Sequence, residues 1–160
     1  MALESRKSAR LADPGAELLE SVAGFWGRYD RVIIGALGVV AVVAVAAVFT
    51  VRSRAAQENE ASGKLAEANV LFWQGDYVRA EQRAKQVADE FGSTASGTDA
   101  HRLAGDAAYW TGNFKGGIEH YQKFLGHARR GLLADAARRS LAYAYESSQQ
   151  FALAVPIYDQ

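Results

Sequence analysis

The stretch WQGDYVRAEQRA at residues 73–84 returns as WTGNFKGGIEHY at residues 110–121, which is 37 positions later. A third copy keeps this period. The aligned sets are Gly75, Gly112 and Gln149; Tyr77, Phe114 and Phe151; Ala80, Gly117 and Ala154; and Ala68, Gly105 and Ala142. Each copy contains an apolar helical stretch, a short polar turn, an aromatic residue and a second helical stretch. A fixed period of roughly 20–50 residues predicts stacked helix pairs, because one pair cannot bury its own apolar face.

This pattern resembles the tetratricopeptide repeat (TPR) family, whose helix-turn-helix units have about 34 residues. The resemblance rests on the small residue of each helix, the turns QGDY and TGNF, and the aromatic residues Tyr121 and Tyr158. The sequence departs from the family pattern at Ala84, which replaces this aromatic residue, and it lacks the closing proline. Three extra residues in each period fall within residues 91–97 and 126–131. Pro156 lies within the third copy's second helix, where we expect it to remove a hydrogen bond and kink the helix.

The second decisive stretch is VIIGALGVVAVVAVAAVFTV at residues 32–51, twenty positions without a charge. As a helix it would be roughly 30 Å long, which is the thickness of the hydrocarbon core of a bilayer. A cleaved signal peptide is the alternative, but it needs a shorter apolar run and a shorter leader than the 31 residues here. We therefore expect a retained span. The predicted fold class is all-α, with one N-terminal transmembrane helix followed by a TPR-like solenoid.

The predicted domain organisation follows from these two features. Residues 1–31 form an N-terminal arm, residues 32–51 the span, residues 52–60 a linker and residues 61–160 the solenoid, whose repeats cover about 61–97, 98–134 and 135–160. The last repeat is incomplete. A solenoid that ended at Gln160 would expose the apolar face of its final repeat, so we expect the natural chain to continue.

The N-terminal arm shows a helix start at Asp13-Pro14, with Glu17 three positions after the proline. Apolar and aromatic residues then follow on one helical face. They include three residues that we expect in the interfacial belt of the membrane: Phe25, Trp26 and Tyr29. Two interpretations remain open, an amphipathic helix on the membrane surface and a docking helix for a partner protein. Acidic residues slightly favour docking, because an anionic leaflet repels them.

Basic residues predict the orientation in the membrane. Five precede the apolar run and three lie in the first twenty positions after it. Because positive charge favours the cytoplasmic side, we expect a cytoplasmic N-terminus and a periplasmic repeat domain in the bacterial inner membrane. The arrangement resembles the single-span TPR group typified by the ancillary translocon subunit.

Composition excludes several classes of function. The chain has 18 basic and 18 acidic residues, so its charge gives no reason to expect nucleic acid as a partner. It has no cysteine and therefore no thiolate chemistry. Its three histidines, His101, His120 and His127, have no acid at ligand spacing, and no nucleophile triad or P-loop is present. We expect no enzyme activity, no metal, no cofactor and no small-molecule substrate. The arginines at 129, 130, 138 and 139 are interpreted as solvated helix ends.

The family resemblance implies a protein-binding groove lined by the first helix of each repeat. Carried over by repeat position, its residues are Asn69, Phe72, Arg102, Asp106, Tyr109, Arg139, Tyr143 and Glu146. Tyrosine and arginine often anchor protein interfaces, although these residues could also simply solvate the solenoid. The family's carboxylate-gripping set is matched only by Asn69. Trp73 and Trp110, at the same repeat position, are predicted to pack in the core.

These features favour a membrane-anchored TPR scaffold that serves as a non-catalytic accessory subunit. It would stabilise a respiratory, photosynthetic or secretory complex, with other subunits and the lipid bilayer as its partners. The alternative is a transient, chaperone-like adaptor that binds client segments in the groove. The alternative from another class of function is an enzyme or a lipid-handling protein. Either would need a cluster of polar residues that the sequence does not show.

Overall fold

The computed structural model describes residues 14–158, with side chains from residue 31 onward. This part of the chain is all-α and contains six helices: α1 (Pro14–Trp73), α2 (Tyr77–Glu90), α3 (Ala95–Trp110), α4 (Phe114–His127), α5 (Leu132–Ser147) and α6 (Phe151–Tyr158). Helix α1 begins at Pro14, where the Asp13-Pro14 pair predicted a start; Asp13 itself lies outside the described residues.

The chain divides into two units, Met1–Phe49 and Thr50–Gln160. Within α1, the stretch Arg31–Trp73 contains a run long and apolar enough to cross a membrane, and nothing in the described chain covers this run. Its large apolar side chains from residue 32 to residue 51 are between 54% and 72% exposed, apart from the part-buried Ile33. Length and composition therefore agree with the predicted span.

The three short turns inside the predicted repeats have the same backbone geometry. Gly75, Gly112 and Gln149 all lie in the left-handed region, with φ of 82°, 78° and 63°. In each turn this residue donates its N–H to the carbonyl three positions back, and the next residue donates to the carbonyl five positions back. This pair of bonds is the Schellman motif, in which a left-handed residue ends a helix. The period of 37 residues thus corresponds to repeated turns.

The second unit packs its helices in sequence, α2 on α3, α3 on α4, α4 on α5 and α5 on α6. One buried cluster joins the end of α1 to α2 and α3, through residues that include Ala61, Leu65, Val87 and Leu103. A second cluster joins α4, α5 and α6 around Tyr121, Phe124 and Tyr145, with Ala154 from α6. Successive helices therefore bury one another's apolar faces.

Small residues stand where helices approach most closely. The predicted small positions of both helices are buried in all three copies: Ala68, Gly105, Ala142, Ala80, Gly117 and Ala154. At Gly105, an added Cβ would meet the Tyr121 ring at 2.8 Å. The aromatic ring thus occupies the space that a larger side chain on α3 would need.

Three details add to the sequence-based expectations. Residues 52–60, which were predicted as a linker, are helical and belong to α1. Glu58 within them accepts hydrogen bonds from the backbone N–H of Ala95 at 2.8 Å and of Ser96 at 3.1 Å. Because this carboxylate caps the start of α3, the repeat unit begins before residue 61. The two segments predicted to hold the extra residues of each period contain the loops 91–94 and 128–131. Helix α6 continues through Pro156.

Candidate functional site

Three of the predicted groove residues line one cavity. Asp106 and Tyr109 from α3 and Tyr143 from α5 surround a space of about 180 Å³, which Trp110, Tyr121 and Ser140 complete. Asp106 and Tyr109 lie three positions apart on one helix face, and the packing of α5 beside α3 brings Tyr143 to them. This cavity is called the aromatic cavity below.

A network of charged and polar groups forms one wall of the aromatic cavity. The Arg102 guanidinium donates to Asp99 at 2.7 and 3.1 Å and to Asp106 at 2.9 Å. The Tyr121 hydroxyl donates to the other Asp106 oxygen at 2.8 Å, and Ser140 lines the same cavity. Burial raises the pKa of Asp106, against the effect of Tyr121 and Arg102. Burial and the adjacent carboxylate also raise the pKa of Tyr121, which keeps its hydroxyl protonated.

Four of the other predicted groove residues do not reach the aromatic cavity, whereas Arg102 contacts it through Asp106. Asn69 donates to the carbonyl of Leu65 in its own helix at 3.0 Å, and Phe72 packs against the first core cluster. Arg139 lines a separate space between α5 and α6. Glu146 is exposed. The eight residues are therefore divided among several local environments.

The prediction that Trp73 and Trp110 pack in the core is wrong. Trp73 is 82% exposed and Trp110 is 60% exposed. The Tyr77 ring stacks on Trp110 at 5.7 Å between centroids and touches Phe72 at 5.3 Å. Both tryptophans occupy the last position of a helix, immediately before the turn, where no following helix covers them. Together with the part-buried Phe72 and Tyr77 they form a row of aromatic rings in contact, of which the two tryptophans are the exposed members.

Two histidines that the sequence separates are neighbours in the structure. Nδ1 of His101 lies 3.4 Å from Nδ1 of His120, across the contact between α3 and α4. Burial is the main cause that lowers the pKa of both imidazoles. His127 lies apart from this pair, and its Nδ1 lies 2.9 Å from the Lys123 carbonyl of its own helix. The two histidines meet because α3 packs on α4. No local sequence pattern indicates which residues of the two helices touch.

The remaining residues considered in the sequence are the metal-ligating types, the aromatic residues before the span and the arginines. Within residues 31–158, no group of three or more metal-ligating side chains comes together. The interfacial residues Phe25, Trp26 and Tyr29 have side chains outside the described set. Among the arginines, Arg138 donates to Asp135 at 2.7 Å and to the carbonyl of Arg129, while Arg129, Arg130 and Arg139 are exposed.

The fold and the cavity define only a coarse class of protein. In the described residues it is an all-α protein of sequentially packed helices with one candidate membrane-spanning helix. No protein-family model matches the chain, and no curated protein matches it.

Proposed function

We propose that this chain is a membrane-anchored TPR-like scaffold that serves as a non-catalytic accessory subunit of a larger membrane protein complex. The exposed apolar run of α1 carries the proposal, because its large side chains are mostly more than half exposed. Soluble monomers rarely expose an apolar surface of that extent, so lipid is its natural environment. The anchor then holds the repeat unit near other membrane proteins and raises its effective concentration there.

The repeated turns and the sequential helix packing support the TPR-like assignment. Three left-handed turn residues lie 37 positions apart, and buried small residues recur at the same period. Such repeats present one helix of each pair along a continuous face, which suits contacts with a protein segment. In this proposal the repeat unit lies in the periplasm and the N-terminus in the cytoplasm, as the basic residues flanking the span favour.

The aromatic cavity favours the second candidate, a transient adaptor that binds client segments. Tyr143 is 50% exposed at the cavity, and exposed aromatic residues are common anchors of interfaces. A permanent subunit would use its span and its arm for most contacts. An adaptor would depend on the cavity instead.

Extraction of native membranes in a gentle detergent, followed by size separation and mass spectrometry, distinguishes these functions. Stoichiometric co-migration with one large complex is the result expected for an accessory subunit. Many substoichiometric clients would indicate the adaptor, and a chain that migrates alone would count against both.

A matched pair of variants adds a structural control to this experiment. Tyr143→Ala alters the aromatic cavity, whereas Trp73→Ala removes an exposed aromatic ring outside it. For an accessory subunit held by its span, both variants should remain in the complex. Loss of association in Tyr143→Ala alone would support the adaptor.

A further inference from the structure

The aromatic cavity combines ring faces with an excess of negative charge. Tyr109 and Trp110 meet at nearly a right angle, with 88° between their planes and 6.3 Å between centroids. Together with Tyr143 they provide three aromatic rings around the space, and Asp106 places a carboxylate at its wall. Aromatic rings attract cations through their negative faces. A carboxylate beside such rings adds a direct charge interaction.

The positive charge of Arg102 does not cancel this preference. Its guanidinium is held by Asp99 and Asp106 at 2.7–3.1 Å, so one cation is shared between two carboxylates. These three side chains together carry one excess negative charge. The remaining polar groups of the cavity, the hydroxyls of Tyr121 and Ser140, are neutral. A cation that enters therefore meets the carboxylate of Asp106, which belongs to a charge network with a net negative charge, while Asp99 itself lies outside the lining.

The size of the cavity indicates what kind of cation fits. Its volume of about 180 Å³ is below the roughly 300–1,000 Å³ of pockets that hold drug-sized molecules. One aliphatic stem with a charged head fits this space. Trp110 is 60% exposed and Tyr143 is 50% exposed, so the rings at its mouth remain available to a larger partner outside.

We propose that the aromatic cavity binds a single lysine or arginine side chain that projects from a partner protein segment. The aliphatic stem contacts Tyr109, Trp110 and Tyr143, and the charged head lies near the carboxylate of Asp106. This inference rests on the proposed scaffold function and specifies its partner, which carries an exposed basic residue at the contact. Burial of the exposed ring surfaces and pairing with Asp106 both favour the bound state.

Fluorine NMR of the full chain in lipid nanodiscs, labelled with 5-fluorotryptophan, tests this inference. The chain has three tryptophans, so Trp110 reports on the cavity and Trp73 serves as an internal control. Tryptophan-to-phenylalanine variants assign the resonances. The probes are the capped peptides Gly-Gly-Lys-Gly-Gly and Gly-Gly-Arg-Gly-Gly, a norleucine peptide that lacks the charge, and n-butylammonium.

We expect the lysine or the arginine peptide to shift the Trp110 resonance saturably and leave Trp73 unchanged. The norleucine peptide should bind at least about tenfold more weakly, the loss that corresponds to one charged contact in a partly desolvated site. Asp106→Asn should weaken binding of the basic peptide by a similar factor. Asp89→Asn, which removes an exposed carboxylate outside the cavity, should leave binding unchanged.

Tyr143→Leu provides a second test should Asp106→Asn disturb the fold, because this ring is half exposed and should also weaken binding. Equal binding of the norleucine peptide, or an equal shift of Trp73, would overturn the proposal. Binding of n-butylammonium as tight as that of the peptides would assign the site to a free amine and also overturn it. Failure of the titration in a chain that co-migrates with a complex would leave the scaffold function intact. A successful titration in a chain that migrates alone would support this inference and count against the scaffold function.

Discussion

At the scale of single residues, close helix packing depends on matched sizes. Gly105 on α3 leaves space for the Tyr121 ring on α4, and Gly117 approaches the Gly105 carbonyl, with 3.4 Å to an added Cβ. The Tyr121 ring cannot move away easily, because it is buried and its hydroxyl donates to Asp106 at 2.8 Å. In the first copy the same two positions hold Ala68 and Ala84, so a small pair replaces the glycine and the tyrosine. The size of the residue at the first position therefore limits the size of the residue at the second.

Gly105→Ala should therefore destabilise the repeat unit by about 1–3 kcal/mol, the usual cost of overpacking. The added methyl group would lie 2.8–3.1 Å from three atoms of the Tyr121 ring. Thermal unfolding of the full chain in detergent, followed by circular dichroism, measures the effect. Gly63→Ala is the matched control, because its Cβ meets nothing within 4 Å. It should raise stability by about 0.5–1 kcal/mol through the lower backbone entropy of alanine.

The contact between His101 and His120 predicts a loss of stability in acid. Burial lowers the pKa of both groups from the ordinary value of 6.5. Well above pH 6.5, both imidazoles are therefore neutral in the folded and in the unfolded state. The free energy of unfolding is then not reduced by their protonation. As the pH falls below 6.5 towards the folded-state pKa, the unfolded chain binds protons first and the folded state loses stability. Lys123 and Lys85 also disfavour a second positive charge there, whereas Glu119 and Asp89 partly offset them.

Denaturant unfolding between pH 7.5 and pH 5 measures this dependence. His120→Gln should reduce the loss of stability on acidification, because it removes one of the two buried imidazoles. His127→Gln, an exposed change at the end of α4, removes only a minor charge that lowers the pKa of His101 and should alter the dependence less than His120→Gln. A native chain whose stability is constant over this range would contradict the prediction.

At the scale of elements, the three turns share one geometry but differ in sequence. Gly75 and Gly112 adopt the left-handed conformation without strain, whereas Gln149 adopts it at φ 63° with a full side chain. The next residue caps the following helix in two copies: Asp76 accepts from the N–H of Arg79, and Asn113 accepts from the N–H of Gly116. Gln150 holds this position in the third copy, and its side chain donates to Ser148 instead. The third turn thus lacks both of the favourable residues.

Gln149→Gly combined with Gln150→Asp should stabilise the α5–α6 pair. Glycine removes a left-handed conformation that costs an ordinary residue about 1–2 kcal/mol, and an aspartate cap contributes about 1 kcal/mol. Hydrogen exchange of α6 amides in the full chain would measure the change, as slower exchange in the variant. The reverse change Gly75→Gln should destabilise the first turn by a similar amount. No change in either variant would show that turn conformation does not limit the stability of these helix pairs.

At the scale of the whole molecule, the proposed function requires two different environments. The exposed apolar run within α1 suits lipid, and the mixed polar and aromatic surface of the repeat unit suits water and protein partners. The absence of cysteine from the sequence makes the orientation directly testable. Single introduced cysteines become the only sites for a thiol reagent.

Gln82→Cys, at an exposed position of α2, should react with a membrane-impermeant maleimide in intact bacterial cells if the repeat unit is periplasmic. Ser8→Cys in the N-terminal arm should react only after the cells are lysed. The cysteine-free chain is the control for background labelling. The opposite pattern would reverse the predicted orientation, and labelling of both sites without lysis would contradict a single retained span.

Much of the backbone organisation could be predicted, because it follows from local patterns. The helix start at Pro14, the apolar run and the turns at Gly75 and Gly112 all depend on residues close together in the chain. The candidate site was predicted less completely. Asp106, Tyr109 and Tyr143 were expected in one groove and do line one cavity, but Tyr121 and Ser140 were not expected there. Their contribution depends on how α4 and α5 pack against α3.

The sequence by itself determined the helical class, the candidate span and the period of the turns. These properties depend on hydropathy, on glycine geometry and on spacing, which act over a few neighbouring residues. Only the tertiary structure decided that Glu58 caps α3, that His101 meets His120 and that Trp73 and Trp110 lie outside the core. Each of these outcomes depends on the packing of helices distant in sequence, where an approach of a few ångströms decides which groups touch and which face water.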